Sequence, residues 1–187
     1  MCALNKYAKA AFVHGKTLRF RDAKISDAAF ILSLRTDEIK SRYLSPVTGV
    51  IADQKAWLHR YLKMDNQAYF IIEYAGESVG TVRLYEPTSD SFCWGSWVLA
   101  ASRPNHAAIE SALMVYSYAL DHLGFEKAHF DVRKGNESVW QFHERFGARR
   151  VGESEMDFYY EIDRPSIEVS RDRYRRYLNE SVKVEFY

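Results

Sequence analysis

From residue 17 onward, apolar positions alternate over short runs and then recur at steps of three and four. Residues 17–21 (TLRFR) alternate and predict a strand. Ser26 then caps a helix carrying Ala29, Phe30, Ile31 and Leu34. Residues 41–50, from Ser41 to Val50, hold Pro46 and Gly49 and read as a loop. Asp53 opens the next helix, with Trp57, Leu58, Tyr61 and Leu62 on its inner side. Three strand-like runs follow at 68–74, 78–85 and 92–99. The connections at 75–77 and 87–90 are turn-prone, so these strands form an antiparallel meander.

A long helix is predicted over 105–123, where Ile109, Ala112, Leu113, Tyr116, Ala119, Leu120 and Leu123 share one face. Asn105 caps it and Gly124 stops it. Residues 128–133 alternate, with Ala128, Phe130 and Val132 on one face. Asn136 caps a short helix bearing Val139, Phe142 and Phe146, stopped by Gly147. Residues 149–151 and 157–162 supply two closing strands, and 165–178 a helix.

This order gives an α+β (mixed α/β) fold in one domain. Its largely antiparallel central sheet has about six or seven strands, flanked by about four helices plus a C-terminal helix. Residues 1–16 read as an N-terminal arm, 17–163 as the domain, and 164–187 as a helical tail packed on it. A chain of 187 residues, 47% hydrophobic and 27% charged, has the composition of one folded domain. The 26 basic and 25 acidic residues leave a net charge of +1. That balance argues against a nucleic-acid or anionic-membrane binder, and leaves the arginines at 171–176 as a solvated face. Cys2 and Cys93 show no disulfide framework and no metal-ligand spacing. Without a signal-peptide core or a membrane-length apolar run, a cytoplasmic protein is expected.

The turn Arg103-Pro104-Asn105-His106-Ala107-Ala108-Ile109 lies between the strand at 92–99 and the long helix. It reads either as an ordinary capped helix start or as a phosphate cradle, because small residues leave unpaired backbone N–H groups accessible.

Taken with the order of elements, this turn resembles that of the GNAT superfamily of acyl-CoA-dependent N-acetyltransferases. The segment Asn136-Glu137-Ser138-Val139-Trp140-Gln141-Phe142-His143-Glu144-Arg145-Phe146-Gly147-Ala148 is similar to the family's asparagine-capped helix. The resemblance spans roughly residues 17–163. It looks closest to branches that act on protein N-termini and on activated amino sugars. The family's turn usually reads R/Q-x-x-G-x-G/A, and the matching positions here are Pro104, Ala107 and Ile109. Ala107 adds a methyl where glycine lets a pyrophosphate approach the backbone.

The resemblance implies acetyl-CoA as co-substrate, with no metal. Val98, Leu99 and Ala100 would pair with the pantetheine arm. The turn from Asn105 through His106, Ala107 and Ala108 to Ile109 would hold the pyrophosphate, helped by Arg103. Asn136 would contact the pantetheine, serve as a plain cap, or do both. A backbone N–H near Val98 or Leu99 would stabilise the oxyanion. His143, seven positions after Asn136, would stand where the family often keeps a tyrosine acid; its alternative is a local hydrogen bond. Trp94, Trp97 and Tyr43 are candidate acceptor-binding aromatics, as are Trp57 and Tyr61, and core packing explains each of them equally well.

No general base is assigned among Asp131, Glu86 and water. Glu110 reads as a charge favourable to the helix dipole. His129 and Asp131 alone are too few for a metal, and direct transfer leaves Cys93 no nucleophilic task. The expected reaction is acetyl transfer to the amine of a small molecule, best a nucleotide-linked amino sugar. The alternatives are protein N-terminal (ribosomal-protein-type) acetylation and a GNAT-fold binding module without catalysis. A homodimer is compatible with the exposed tail.

Overall fold

Nine strands and five helices succeed one another among the residues described by the computed structural model, which are Tyr7, 9–39 and 42–187. Cys2 and Ser41 lie outside them. The strands are β1 (Ala10–His14), β2 (Leu18–Asp22), β3 (Ala68–Tyr74), β4 (Glu77–Tyr85), β5 (Ser91–Leu99), β6 (Lys127–Arg133), β7 (Arg149–Glu153), β8 (Asp157–Asp163) and β9 (Lys183–Phe186). The helices are α1 (Ala28–Arg35), α2 (Ile51–Tyr61), α3 (Ala107–Ser117), α4 (Glu137–Arg145) and α5 (Arg164–Arg173). All strands join one sheet in the order β7-β8-β6-β5-β4-β3-β2-β1-β9. Every neighbouring pair is antiparallel except β5 and β6.

The meander forms as its turns predict. Ala75 and Gly76 both have positive φ, 51° and 86°, the conformation that matches a two-residue hairpin to strand twist. On one face of the sheet, α3 runs through the main core with Ala112, Leu113, Met114, Val115 and Tyr116 all buried. On the other face, Ile31 of α1 and Leu58 and Tyr61 of α2 pack on Tyr69 and Ile71 of β3. The Tyr61 hydroxyl donates to the buried Asp22 carboxylate and accepts from the Tyr69 N–H at 2.8 Å, which ties α2 to the sheet.

Several local expectations change. Residues 10–14, assigned to the arm, form β1, and residues 183–186 of the tail form β9 beside it. Asn105 is not the cap of α3: His106 holds that position, without a side-chain cap bond. Ser26 lies in a short 3-10 turn before α1, and Asp53 lies inside α2, where it accepts from Thr48 Oγ1 at 2.7 Å. Leu62 is 45% exposed. After Ser117 the long helix widens, so that the Leu123 N–H donates to Tyr118 O five residues back. The last helix ends at Arg173.

Gly80 of β4 faces Leu99 of β5, and a Cβ there would meet Val98 O at 2.6 Å and Leu99 Cδ2 at 2.8 Å. Gly80→Val is expected to destabilise the fold by about 1–3 kcal/mol, because a backbone atom cannot give way cheaply. Urea unfolding reads this directly. An unchanged midpoint would mean that the two strands part freely.

Candidate active site

The parallel pairing of β5 with β6 is short: Ser91, Phe92 and Cys93 against Lys127, Ala128 and His129. Beyond it the strands part, so from Trp94 to Leu99 β5 has a partner only on its β4 side. A bulge opens the gap further. Thr81 pairs with Val98 and Arg83 with Gly95, which sets Ser96 and Trp97 together against Val82. Ser96 has φ 47°, a strained value for a residue with a Cβ, and its carbonyl accepts from Thr81 Oγ1 at 2.8 Å. The resulting cleft, about 640 Å³ in volume, runs between the two strands toward α4 and under the loop at 43–47.

Beyond the end of β5 stands the turn into α3. The Ala107 N–H donates to Pro104 O at 3.0 Å, while the N–H groups of Asn105, His106, Ala108 and Ile109 have no partner among the described residues. Ala107 is fully buried in the core, so its methyl does not stand in the path of a ligand at the turn, contrary to the expected obstruction. This donor set suits an anion.

Two other turn residues depart from expectation. Ala100 spends both backbone groups within the chain, its N–H on Val79 O at 2.8 Å and its carbonyl on the Arg103 N–H and guanidinium. The free strand edge therefore stops at Leu99. The His106 ring bonds Thr17 Oγ1 at 2.7 Å and lies 3.5 Å from the Glu110 carboxylate, so it faces β2 rather than the turn's open side.

Asn136 caps α4 through its backbone carbonyl, which accepts from the Val139 and Trp140 N–H groups. Its side-chain amide makes no cap bond and lines the cleft. Asn136 thus holds the cap position through its backbone and not through its side chain.

His143 also lines the cleft, but it is only 5% exposed and packs among aromatic rings: Phe130 at 4.3 Å, Trp94 at 5.2 Å and Phe142 at 5.7 Å. Its Nδ1 is buried without a partner. Burial lowers its pKa to about 3, so the ring is neutral near pH 7 and no imidazolium is available there to act as the acid. The alternative of an exposed histidine with a local hydrogen bond fails as well.

Trp94 is 4% exposed and packs on Tyr116, Phe130 and His143, so it belongs to the core wall more than to an acceptor platform. Trp97 spends its indole N–H on Ser111 Oγ at 3.1 Å. Tyr43 leans on the β6–α4 connection, where a Cβ at Gly135 would meet its ring at 3.1 Å.

Sequence reasoning passed over two cleft cations. Arg83 projects from β4 with its guanidinium over the rings of Trp57 (5.3 Å) and Tyr85 (4.6 Å) and its Nε donating to Gln67 Oε1 at 2.6 Å. Arg35 ends α1, donates from Nη2 to Ser45 O at 2.8 Å, and buries its Nε without a partner. An arginine alternating with apolar residues in a strand gives no local sign that it will be half-buried in a cleft.

Beside the cleft, Glu86, Cys93 and His129 bring their potential ligand atoms within 4.8 Å of one another, a grouping that the spacing of His129 and Asp131 did not indicate. Burial pushes the Cys93 thiol up to about 12, so it is neither a thiolate nucleophile nor a ready metal ligand near neutrality.

Solved structures share this fold. FdhC, described as a nucleotide-linked sugar GNAT and solved in its apo form, matches with a TM-score of 0.82 and 36% identity, over 89% of this chain and 98% of that one. Spermidine N-acetyltransferase from Vibrio cholerae, in complex with CoA and spermine, matches with a TM-score of 0.73 and 17% identity, over 81% of this chain and 98% of that one. At that identity the likeness is one of fold. No curated protein matches the chain. The model of the acetyltransferase (GNAT) domain family covers residues 17–149, and with the splayed strands, the open turn and the Asn136 helix the chain belongs to the GNAT family of acetyltransferases.

Proposed function

We propose that this enzyme transfers an acetyl group from acetyl-CoA to the amine of a nucleotide-linked amino sugar. The observation that carries the reading is the 36% identity to a nucleotide-linked sugar GNAT over nearly the full length of both chains. The half-open cleft of about 640 Å³ is consistent with an acceptor larger than a simple amine.

Acetyl-CoA supplies a thioester carbonyl that an unprotonated amine can attack directly. The chain's part is to bind, orient and polarise. The N–H groups of Asn105, His106, Ala108 and Ile109 take the pyrophosphate at the start of α3, with the Arg103 guanidinium near the same turn. The β5 edge around Val98 and Leu99 would align the pantetheine, and the Asn136 amide, which makes no cap bond, would hydrogen-bond it. The bulge at Ser96 and Trp97 takes backbone groups out of the strand ladder just before Val98 and Leu99, and a backbone N–H near Val98 or Leu99 would stabilise the developing oxyanion. His143, held neutral, forms an apolar wall and can give the leaving sulfur a hydrogen bond but not the proton of an imidazolium. Glu86 and Asp131 line the cleft and can pass the amine proton to solvent.

Release of free thiol from acetyl-CoA, followed across nucleotide-linked amino sugars, polyamines and N-terminal peptides, tests the reading. Turnover is expected with an amino sugar carried on a nucleotide. Preference for a peptide would move the assignment to protein N-terminal acetylation, and binding of acetyl-CoA without turnover of any acceptor would reject the proposed acceptor class.

A further inference from the structure

We infer that Arg35 and Arg83 form a diphosphate subsite that grips the nucleotide end of the acceptor, separate from the backbone cradle at 105–109. This rests on the acceptor class proposed above and names the groups that would recognise it. Both arginines line the cleft, half-buried, and no carboxylate lies within ion-pair distance of either among the described residues. By contrast, Arg21 on β2 and Arg133 on β6 are paired with carboxylates.

The free donors are specific. Arg83 packs against the rings of Trp57 and Tyr85 and is held at Nε by Gln67, and neither of its Nη groups has a hydrogen-bond partner among the described residues. Arg35 is fixed at Nη2 by the Ser45 carbonyl, which leaves Nη1 and the buried Nε without partners. Burial holds the Arg83 pKa below its ordinary value; Tyr85, Tyr69 and Glu86 oppose this, and repulsion from Arg35 adds a smaller push in the same direction as burial. Two like charges in one cleft oppose each other until an anion joins them. A ligand with two adjacent anionic centres and planar-fork acceptors satisfies both guanidiniums at once, and a diphosphate is such a group. The indole of Trp57 and the ring of Tyr43, both lining the same cleft, offer apolar surface beside it for a base or sugar ring.

A diphosphate also occurs in CoA, so the test must separate the two sources. Calorimetric titration of the intact protein with UDP, dTDP and the corresponding nucleosides, with and without saturating CoA, makes that separation. The nucleoside diphosphates are expected to bind about tenfold or more tightly than the nucleosides, and CoA is expected not to displace them. Arg35→Gln and Arg83→Gln should each weaken this binding by about tenfold, with acetyl-CoA affinity unchanged and partial recovery in the lysine variants. Retained acetyl-CoA affinity and an unchanged melting temperature show that the variants are folded.

Equal affinity for nucleoside and diphosphate, displacement by CoA, or indifference to both substitutions would overturn the subsite. Turnover of a nucleotide-linked amino sugar with the same KM in both variants would also remove the subsite while leaving the acceptor assignment intact. Arginine-dependent diphosphate binding without turnover of any amino sugar would do the reverse.

Discussion

Lowering the pH from 7 to 5 is expected to remove about 2 kcal/mol of folding stability through His143 alone. Its ring is neutral in the fold, with a pKa lowered to about 3 by burial, and near 6.5 once the chain unfolds. Between these values the unfolded chain binds a proton that the folded chain refuses, so stability rises with pH across that window. The contribution is complete above about pH 6.5 and lost by about pH 3, with a ceiling of about 5 kcal/mol. The rings around His143 belong to Phe130, Trp94, Trp97 and Phe142, and no charge faces it from them.

Urea unfolding of the wild type and of His143→Phe at pH 7, 6 and 5 isolates the effect from other carboxylates. The phenylalanine variant is expected to gain on the wild type by about 2 kcal/mol over that range. Parallel curves would mean that the imidazole is not held neutral. The same burial predicts a pH–rate profile without an imidazole limb near 6.5, leaving deprotonation of the acceptor amine as the rising limb.

The second large effect is at Glu110. Its side chain is fully buried, and Oε1 accepts from the Thr17 N–H at 2.6 Å and the Leu18 N–H at 2.9 Å, while Oε2 accepts from the Thr17 hydroxyl at 2.6 Å. The residue that reads in sequence as a helix-dipole charge is the clamp between α3 and the start of β2. Glu110→Ala would leave buried backbone donors unpaired and is expected to cost about 3 kcal/mol or more. Because α3 begins at the turn, acetyl-CoA affinity should fall with it. Glu110→Gln, which keeps an acceptor oxygen, is expected to lose less. Chemical unfolding and acetyl-CoA titration of both variants check this, and a loss below 1 kcal/mol for the alanine variant would refute the clamp.

Seven of the strands and all five helices follow from local patterning, because alternation and three-to-four spacing report which side of a segment faces the core. β1 and β9 do not, since both are short, and the pairing that brings the edge strand β9 against β1 joins segments far apart along the chain: Val13 pairs with Val184. Ala107 looked like an obstacle because composition cannot say which way a methyl faces. Asn136 was legible as a helix start, but whether its amide bonds backwards or into a cleft depends on φ and ψ at one residue, −88° and 62°.

Family membership was readable from Asn136–Gly147 and from the order of elements, both properties of contiguous sequence. The charge state of His143, the clamp at Glu110 and the pairing of Arg35 with Arg83 were not. Each is made by residues from separate elements, brought together only when the sheet closes. The 47 positions between Arg35 and Arg83 carry no signal that α1 will pack against β4. Local periodicity encodes which face is buried, whereas the ionisation and partners of a buried group depend on every element packed against it.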